Sequence, residues 1–284
     1  MTKFDRYKDK YKYIKLRRED GVVEMRLHSN GGELRWSLYP DVEVADALWE
    51  VGQDEENRCV IITGTGNSFC ASIDREDVAK SVQGAGGPIQ LLSGIVTKGD
   101  GLKLQLNHLA VPVPIIAAVN GPASVHGEVA LLCDIVICTE DTYFQDSPHF
   151  PQTLVPGDGV HVVYPAVLGP NLGRYFLLTG MKLGSKEAWQ RGLVAEIHGR
   201  EELLDRAWAL ARAITERPPQ IVRATRTLLV QKLRAEMSTY LPHGMTLEGF
   251  AAVLGYAMGT QPAWNPVPRD LSAGARRVPD QVGN

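Results

Sequence analysis

The stretch PIIAAVNGPASVHGEVALLCDIVIC, residues 114–138, decides the fold. An apolar run of strand length, 113–121, ends in Asn-Gly, and a short loop follows it. A helical segment at 127–132 then leads into a second apolar run, CDIVICT, at 133–139. Apolar runs of this length, bounded by Gly or Asn, are typical of strands covered on both faces. Strands that alternate with helices indicate an α/β protein.

The residues before this stretch extend the same pattern. The segments 12–17 and 22–27 flank Asp20-Gly21, which predicts a β-hairpin. CVIITG at 59–64 predicts a further buried strand. Helices are predicted from Pro40, in DVEVADALWEVGQDEE, and at 101–110. The glycine-rich segment 80–100 predicts a loop or short helices, with a mobile lid as one interpretation.

Beyond residue 157 the strand signals nearly vanish. Helical periodicity dominates instead, and the predicted helices are 159–168, 171–180, 185–192, 201–216 and 219–237. The proline-rich and charged end of the chain predicts a flexible tail or one that wraps a neighbouring molecule.

The composition is that of a globular protein. The chain has 284 residues, 44% of them hydrophobic and 22% charged, with a formal net charge of −3. Such a balance gives no support to a nucleic-acid partner or a polybasic membrane patch. The charged N-terminus lacks the apolar core of a signal peptide, and no run is long enough to span a membrane. We therefore expect a soluble, cytoplasmic protein.

Several kinds of catalytic site find no support in the sequence. Cys59, Cys70, Cys133 and Cys138 form no CxxC pair or zinc-type spacing, and we expect them to be buried reduced thiols. GxSxG, GxxxxGK[ST], HExxH and a GxGxxG after a strand are all absent. We therefore expect neither a metal nor an organic cofactor.

The first cluster of candidate residues is the loop that contains His126. Backbone N–H groups at a helix start stabilise an anionic oxygen, and a histidine there could donate to the same charge. The alternative interpretation is that His126 merely caps the turn.

The second cluster is FQDSPHFPQTLVPGDGVHVVYP, residues 144–165. Two prolines bracket His149, and Asp158 precedes a predicted helix. A carboxylate that accepts the imidazole N–H would prepare His149 to take a proton from water. Asp158 is alternatively an ordinary N-cap, or it pairs with His161 along the helix.

At these clusters the chain resembles the crotonase, or enoyl-CoA hydratase/isomerase, superfamily. The motifs are CVIITGTGNSFCASIDRED, the stretch quoted first, FQDSPHFPQTLVPGDG and LTGMKLGSKEAWQRGLVAEI. The resemblance implies a spiral of ββα units at 1–200, a helical trimerisation region at 201–260 and a tail at 261–284. It also implies homotrimers or dimers of trimers (hexamers). An oxyanion hole would use the N–H of Ile73 and the loop from Val125 to Gly127.

The chain departs from the hydratase pattern at both catalytic glutamates. Glu128 matches the first, but the second is replaced by His149 within Pro148-His149-Phe150, where Phe150 would contact substrate. The usual triple glycine of the second oxyanion loop is Ser-Val-His-Gly here. Because only glycine permits the close approach of a thioester carbonyl, hydration of an acyl-CoA is disfavoured.

These departures resemble a smaller branch, the alicyclic β-diketone hydrolases of the 6-oxocamphor hydrolase type. That resemblance implies that His149 and Asp158 activate water. It implies that His126 and Trp36 hold a substrate carbonyl, and that Glu248 is a further active-site residue. Asp41 stands where the branch has a histidine.

Trp36 is alternatively core or interface bulk, Glu248 a solvated helix residue and Glu128 a remnant of the hydratase position. The predicted reaction is hydrolysis of a carbon–carbon bond in a cyclic β-diketone, a retro-Claisen cleavage. The competing hypotheses are an acyl-CoA hydratase, isomerase or thioester hydrolase, and a non-catalytic structural or RNA-binding protein.

Overall fold

A computed structural model describes residues 2–259 and residue 272, and the predicted tail at 261–284 lies otherwise outside the described residues. The strands are β1 (Ile14–Glu19), β2 (Val22–Leu27), β3 (Arg35–Trp36), β4 (Cys59–Thr63), β5 (Ser72–Ile73), β6 (Ile115–Val119), β7 (Ile135–Thr139), β8 (Tyr143–Phe144), β9 (Leu183–Gly184) and β10 (Glu196–His198). The helices are α1 (Phe4–Tyr7), α2 (Leu38–Gln53), α3 (Arg75–Gly84), α4 (Pro88–Lys98), α5 (Asp100–Ala110), α6 (Glu128–Leu131), α7 (Val160–Leu168), α8 (Pro170–Thr179), α9 (Ser185–Gln190), α10 (Arg200–Thr215) and α11 (Pro219–Met258), with a 3₁₀ turn at Phe150–Gln152.

A six-stranded sheet in the order β1-β2-β4-β6-β7-β10 forms the centre. β1 and β2 pair antiparallel through the predicted turn, in which Asp20 and Gly21 both have positive φ. All other pairs in this sheet are parallel. Every residue of β4 and β6 is buried, as the continuous apolar runs predicted. The α/β class and the crotonase fold predicted from the sequence are confirmed.

Each face of the sheet packs against helices. One face belongs to the main core, together with α2, α5 and α7. The other packs Cys59, Ile61 and Ile116 against Leu203 and Trp208 of α10. Helix α10 therefore completes the core, although the sequence assigned it to a separate region beginning at residue 201.

The predicted loop or short helices at 80–100 are two helices, α3 and α4. They are separated by Gly86 and Gly87, which both have positive φ. Gly87 is the N-cap of α4 and Pro88 is its first residue, an arrangement that favours a helix start. Both helices border the cavity described below.

The predicted end of the last helix at residue 237 is wrong, because α11 continues to Met258. Pro242 lies inside it, although proline in a helix interior costs about 3 kcal/mol. Burial of Met237, Leu241, Gly244 and Gly249 offsets that cost. The extension matters because it carries Glu248.

All four cysteines are buried and none forms a disulfide bond. None of the helices within the described residues is long and apolar enough to cross a membrane.

Candidate active site

One cavity gathers most of the predicted site residues. Its volume is about 830 Å³. The predicted catalytic residues His149, Asp158, His126 and Glu248 all line it. Four predicted substrate-binding residues line it as well: Trp36, Asp41, Ile73 and Val125.

Three other predicted substrate-binding residues do not line this cavity. Phe150 points elsewhere, with 47% of its surface exposed. Glu128 is fully buried. Gly127 lies behind the surface, where an added Cβ would be 2.8 Å from both Ala123 O and Tyr164 Oη. The prediction that Phe150 and Glu128 contact substrate directly is therefore not supported by their positions.

The loop at 124–127 is shaped by a histidine in a conformation that favours glycine. His126 has φ +49°, which is uncommon for a residue with a side chain. The N–H groups of Ser124 and Val125 both donate to Cys70 O, at 2.9 and 3.1 Å. Val125 N–H is therefore already engaged, and its position does not support the prediction that it serves as an oxyanion donor.

The His126 side chain is fixed on two sides. Its ring stacks on Trp36, with the centroids 4.3 Å apart and the planes at 26°. Its Nδ1 lies 2.7 Å from Glu128 Oε1 and 3.6 Å from Asp158 Oδ2. His126 is therefore not a turn cap, and Glu128 holds this ring rather than facing the cavity.

His149 lies between two aspartates. Nδ1 is 2.6 Å from Asp146 Oδ1, whereas Nε2 is 3.4 Å from Asp158 Oδ2 and 3.9 Å from Glu248 Oε1. The prediction that Asp158 orients the imidazole from behind is thus corrected. Asp146 occupies that position, and Asp158 faces the other nitrogen together with Glu248.

Asp158 is not the N-cap residue of α7, and among the described contacts its side chain forms no hydrogen bond with His161. The N-cap of α7 is Gly159. His161 Nε2 lies instead 3.4 Å from Tyr240 O. The backbone oxygen of Asp158 accepts a hydrogen bond from the side chain of Gln105, which also lines the cavity.

Close contact between two glycines places Glu248 near His149. A Cβ on Gly157 would lie 2.2 Å from Gly244 O, and one on Gly244 would lie 2.5 Å from Gly157 O. Any side chain at either position would push α11 away from the loop that carries Asp158. Glu248 follows Gly244 by four residues and so lies on the same face of the helix.

Burial and neighbouring charges shift the pKa values of the site. Burial lowers the pKa of His149, but the carboxylates of Asp146 and Asp158 outweigh it and hold that pKa well above its usual range. Burial also lowers the pKa of His126, but the carboxylates of Glu128 and Asp158 outweigh this effect and raise that pKa to about 9. Burial raises the pKa of Glu248 to about 8. At neutral pH Glu248 is therefore mainly protonated and His126 mainly charged.

Several buried oxygens around these histidines have no hydrogen-bond partner in the described structure. They are Asp146 Oδ2, Asp158 Oδ1, Glu128 Oε2, Glu248 Oε2 and Tyr164 Oη. Buried polar atoms are normally paired with protein or water. Two groups here also have ligand atoms close enough to hold a divalent cation: His126, Glu128, Asp158 and His149, Asp158, Glu248. Independence from metal therefore stays a prediction.

Asp146, which contacts His149, was not among the residues predicted from the sequence. It precedes His149 by three residues in FQDSPH, a spacing that carries no strong signal outside a regular helix. Backbone bonds from Ser147 N–H to Ser124 O and from Leu154 N–H to His149 O hold the segment in its irregular conformation.

Comparisons with known proteins agree with this fold. Residues 18–249 match the enoyl-CoA hydratase/isomerase family, so the chain belongs to that family, within the crotonase superfamily of enzymes. The Bacillus subtilis protein YngF, named as an enoyl-CoA hydratase/isomerase, is 31% identical over 68% of this chain and 72% of its own. A hydroxycinnamoyl-CoA hydratase-lyase from Pseudomonas fluorescens is 28% identical over 78% of this chain and 79% of its own.

A solved structure is similar over a larger share of the chain. It is a β-diketone hydrolase from the cyanobacterium Anabaena sp. PCC 7120, bound to (S)-3-oxocyclohexyl acetic acid. The two are 35% identical with a TM-score of 0.80, and the match covers 88% of this chain and 96% of the other. An enoyl-CoA hydratase/isomerase from Mycobacterium paratuberculosis is 25% identical, with a TM-score of 0.76 and coverage of 84% and 93%.

Proposed function

We propose that this enzyme hydrolyses a carbon–carbon bond of a cyclic β-diketone to give a keto acid. The observation that carries the proposal is the position of His126. It stands between the cavity and Glu128, with Nδ1 2.7 Å from the Glu128 carboxylate. Glu128, which matches the first catalytic glutamate of the hydratases, therefore does not reach the substrate. The second catalytic glutamate of the hydratases is replaced here by His149.

The first step proposed is the activation of water by His149. In the neutral form of His149, Nδ1–H donates to Asp146 and Nε2 accepts a proton from water on the cavity side. Because the neighbouring carboxylates hold the pKa of His149 above its usual range, the population of this neutral form increases as pH rises. Asp158 and Glu248 lie near the same nitrogen and provide acceptors that hold this water. General-base assistance of this kind contributes about 10²–10⁴-fold to the rate.

The hydroxide then adds to one ketone carbon, and a tetrahedral oxyanion forms. The oxyanion collapses with cleavage of the bond to the central carbon, and the electron pair passes into the second carbonyl as an enolate. A proton from the His149 imidazolium or from Glu248 returns to the central carbon. Overall, one diketone and one water are converted to one keto acid, and no oxidant or reductant is required.

Charge on the substrate oxygens would be stabilised by donors at the same end of the cavity. His126, charged at neutral pH, uses Nδ1 for Glu128 and would donate from Nε2. Trp36 supports that ring by stacking, and Ile73 is its neighbour in the β3–β5 pair. One oxyanion donor is worth about 10²–10³-fold. Similarity to the Anabaena β-diketone hydrolase supports the same chemistry.

An acyl-CoA hydratase, isomerase or thioester hydrolase is the second candidate. The family membership and the hydroxycinnamoyl-CoA relative favour it. It predicts tight binding of CoA, which titration with free CoA and with crotonyl-CoA would reveal.

Mass spectrometry after incubation with a panel of cyclic 1,3-diketones, monocyclic and bicyclic, tests the proposal. The expected product gains the mass of one water, and isotopically labelled water places the label in the new carboxylate. His149→Ala should abolish it, whereas the control His198→Ala, changed at a site remote from the cavity, should not. Turnover of crotonyl-CoA but of no diketone would overturn the proposal in favour of the second candidate.

We also propose that α11 takes part in self-association, as a homotrimer or a dimer of trimers. Large apolar side chains are exposed along it, among them Leu228, Leu229, Tyr240, Phe250 and Met258. Exposed apolar surface of this kind marks interaction sites. Sedimentation of the purified chain tests the proposal, and a monomer at micromolar concentration would contradict it.

A further inference from the structure

The cavity continues far beyond the reacting groups along one face of α11. Met245, Glu248, Gly249, Ala252 and Tyr256 of this helix all line it, at the spacing of a single helical face. Glu248 marks the catalytic end, because its carboxylate lies 3.9 Å from His149 Nε2. Tyr256 follows eight residues later, so at 1.5 Å per residue the cavity extends about 12 Å past Glu248.

Two other helices contribute apolar side chains to the same cavity: Val78 and Val82 of α3, and Leu91 and Ile95 of α4. Helix α4 packs against both α11 and α3, so these side chains border the space next to α11. Arg75 and Gln83 are exposed and border the opening. We call this part of the cavity, between α3, α4 and the residues of α11 beyond Glu248, the apolar arm.

The size of the whole cavity exceeds the needs of one ring. At about 830 Å³ it lies in the upper part of the range of about 300–1,000 Å³ that is typical of sites for drug-sized ligands. A six-membered diketone held by His126 and His149 would occupy only the polar end. Without further contacts the apolar arm would remain filled with water, at a loss of binding energy.

We propose, on the basis of the proposed function, that the substrate is a cyclic β-diketone with a large apolar substituent, an alkyl chain or fused hydrocarbon rings. The reacting ring lies against His149, and the substituent extends along the apolar arm towards Tyr256. Burial of each methylene there improves kcat/KM by up to about fourfold, which is about 0.8 kcal/mol converted at 1.4 kcal/mol per tenfold.

A homologous series tests this. The substrates are 2-methyl-cyclohexane-1,3-diones whose second substituent at the same carbon is methyl, butyl or octyl, so that the reacting ring is constant. We expect kcat/KM to rise steadily from methyl to octyl. A flat or falling series with good turnover of the methyl compound would overturn this inference and leave the proposed function intact.

Binding is measured in parallel, so that the inference is tested even without turnover. Calorimetry of the same series with His149→Ala should show Kd falling with chain length. If no diketone is hydrolysed, the proposed function fails. Affinity that does not depend on chain length overturns the apolar arm as a binding site.

A pair of variants on one helix locates the substituent. Ala252→Phe fills the arm and should reduce the ratio of octyl to methyl kcat/KM by at least about tenfold, the equivalent of about two buried methylenes. Ala257→Phe, on an exposed position of α11 outside the cavity, is the matched control and should leave that ratio unchanged. If Ala252→Phe and Ala257→Phe have the same ratio of octyl to methyl kcat/KM, the substituent does not lie in the apolar arm next to Ala252.

Discussion

Asp146 Oδ1 lies 2.6 Å from His149 Nδ1, on the side of the imidazole opposite to Asp158. The two aspartates therefore have different tasks. Asp146 is buried and fixes the tautomer of the ring, so we regard it as a positioning residue. Asp158 faces Nε2 and the cavity, where we propose that water and substrate bind.

Asp146→Asn should shift the acidic limb of the pH profile of kcat/KM to lower pH. His149 acts as a base only when it is neutral, so activity rises as pH passes upward through its pKa. The Asp146 carboxylate holds that pKa above its usual range, and an amide would not. Plateau activity should fall as well, by up to about 10⁴-fold if the wrong tautomer results. If the acidic limb of the Asp146→Asn profile stays at the same pH as in the unmodified enzyme, Asp146 does not act on the pKa of His149.

Glu128→Gln should move the alkaline limb to lower pH. The proposed enolate donor is protonated His126, whose pKa the carboxylates of Glu128 and Asp158 raise to about 9 against the effect of burial. Without the Glu128 charge, His126 loses its proton at lower pH, and activity declines from there. Had Glu128 been a hydratase-type acid, the variant would instead lose most activity at every pH.

The sequence predicted the strands well because their signals are local. β4, β6 and β7 lie within 59–64, 113–121 and 133–139, where apolar residues run without interruption. The end of α11 could not be predicted in this way, since Pro242 is a strong local stop signal. Burial of Leu241 and Gly244 against other elements decides the outcome, and such packing leaves no local periodic signature.

The site was predictable where a motif carried it. His149, Asp158 and His126 line one cavity, although the sequence alone left other interpretations open. The contact of Asp146 with His149 depends on an irregular turn at Pro148, just before the 3₁₀ segment. No rule of residue spacing predicts the path of the backbone through such a turn. The burial of Glu128 depended similarly on the positive φ of His126.

Gly244→Ala should destabilise the protein and reduce turnover together. The new Cβ would lie 2.5 Å from Gly157 O and 2.2 Å from His161 Cε1, so α11 must shift and carry Glu248 away from His149. Overpacking of this kind costs about 1–3 kcal/mol of unfolding free energy. Gly184→Ala is the control, because it has no heavy atom within 4 Å and an ordinary φ. Denaturant unfolding and kcat measure both effects, and a fully stable, fully active Gly244→Ala would contradict the contact.

Arg226→Met should destabilise the fold without acting on the cavity directly. Arg226 is 2% exposed, its Nε donates to Asp134 Oδ2 at 2.8 Å, and its other nitrogens donate to the carbonyl oxygens of Val111 and His108. Asp134 in turn accepts a hydrogen bond from the N–H of Ile115 at the start of β6, so the pair of Arg226 and Asp134 connects α11 to the central sheet.

Removal of one partner of a buried ion pair costs about 3–5 kcal/mol of unfolding free energy, since the other charge stays buried without compensation. The exposed pair of Arg191 and Glu187, at 2.9 Å, is the control, and Arg191→Met should cost less than about 1 kcal/mol. If urea unfolding shows the same loss of unfolding free energy in both variants, burial does not determine how much Arg226 contributes to stability.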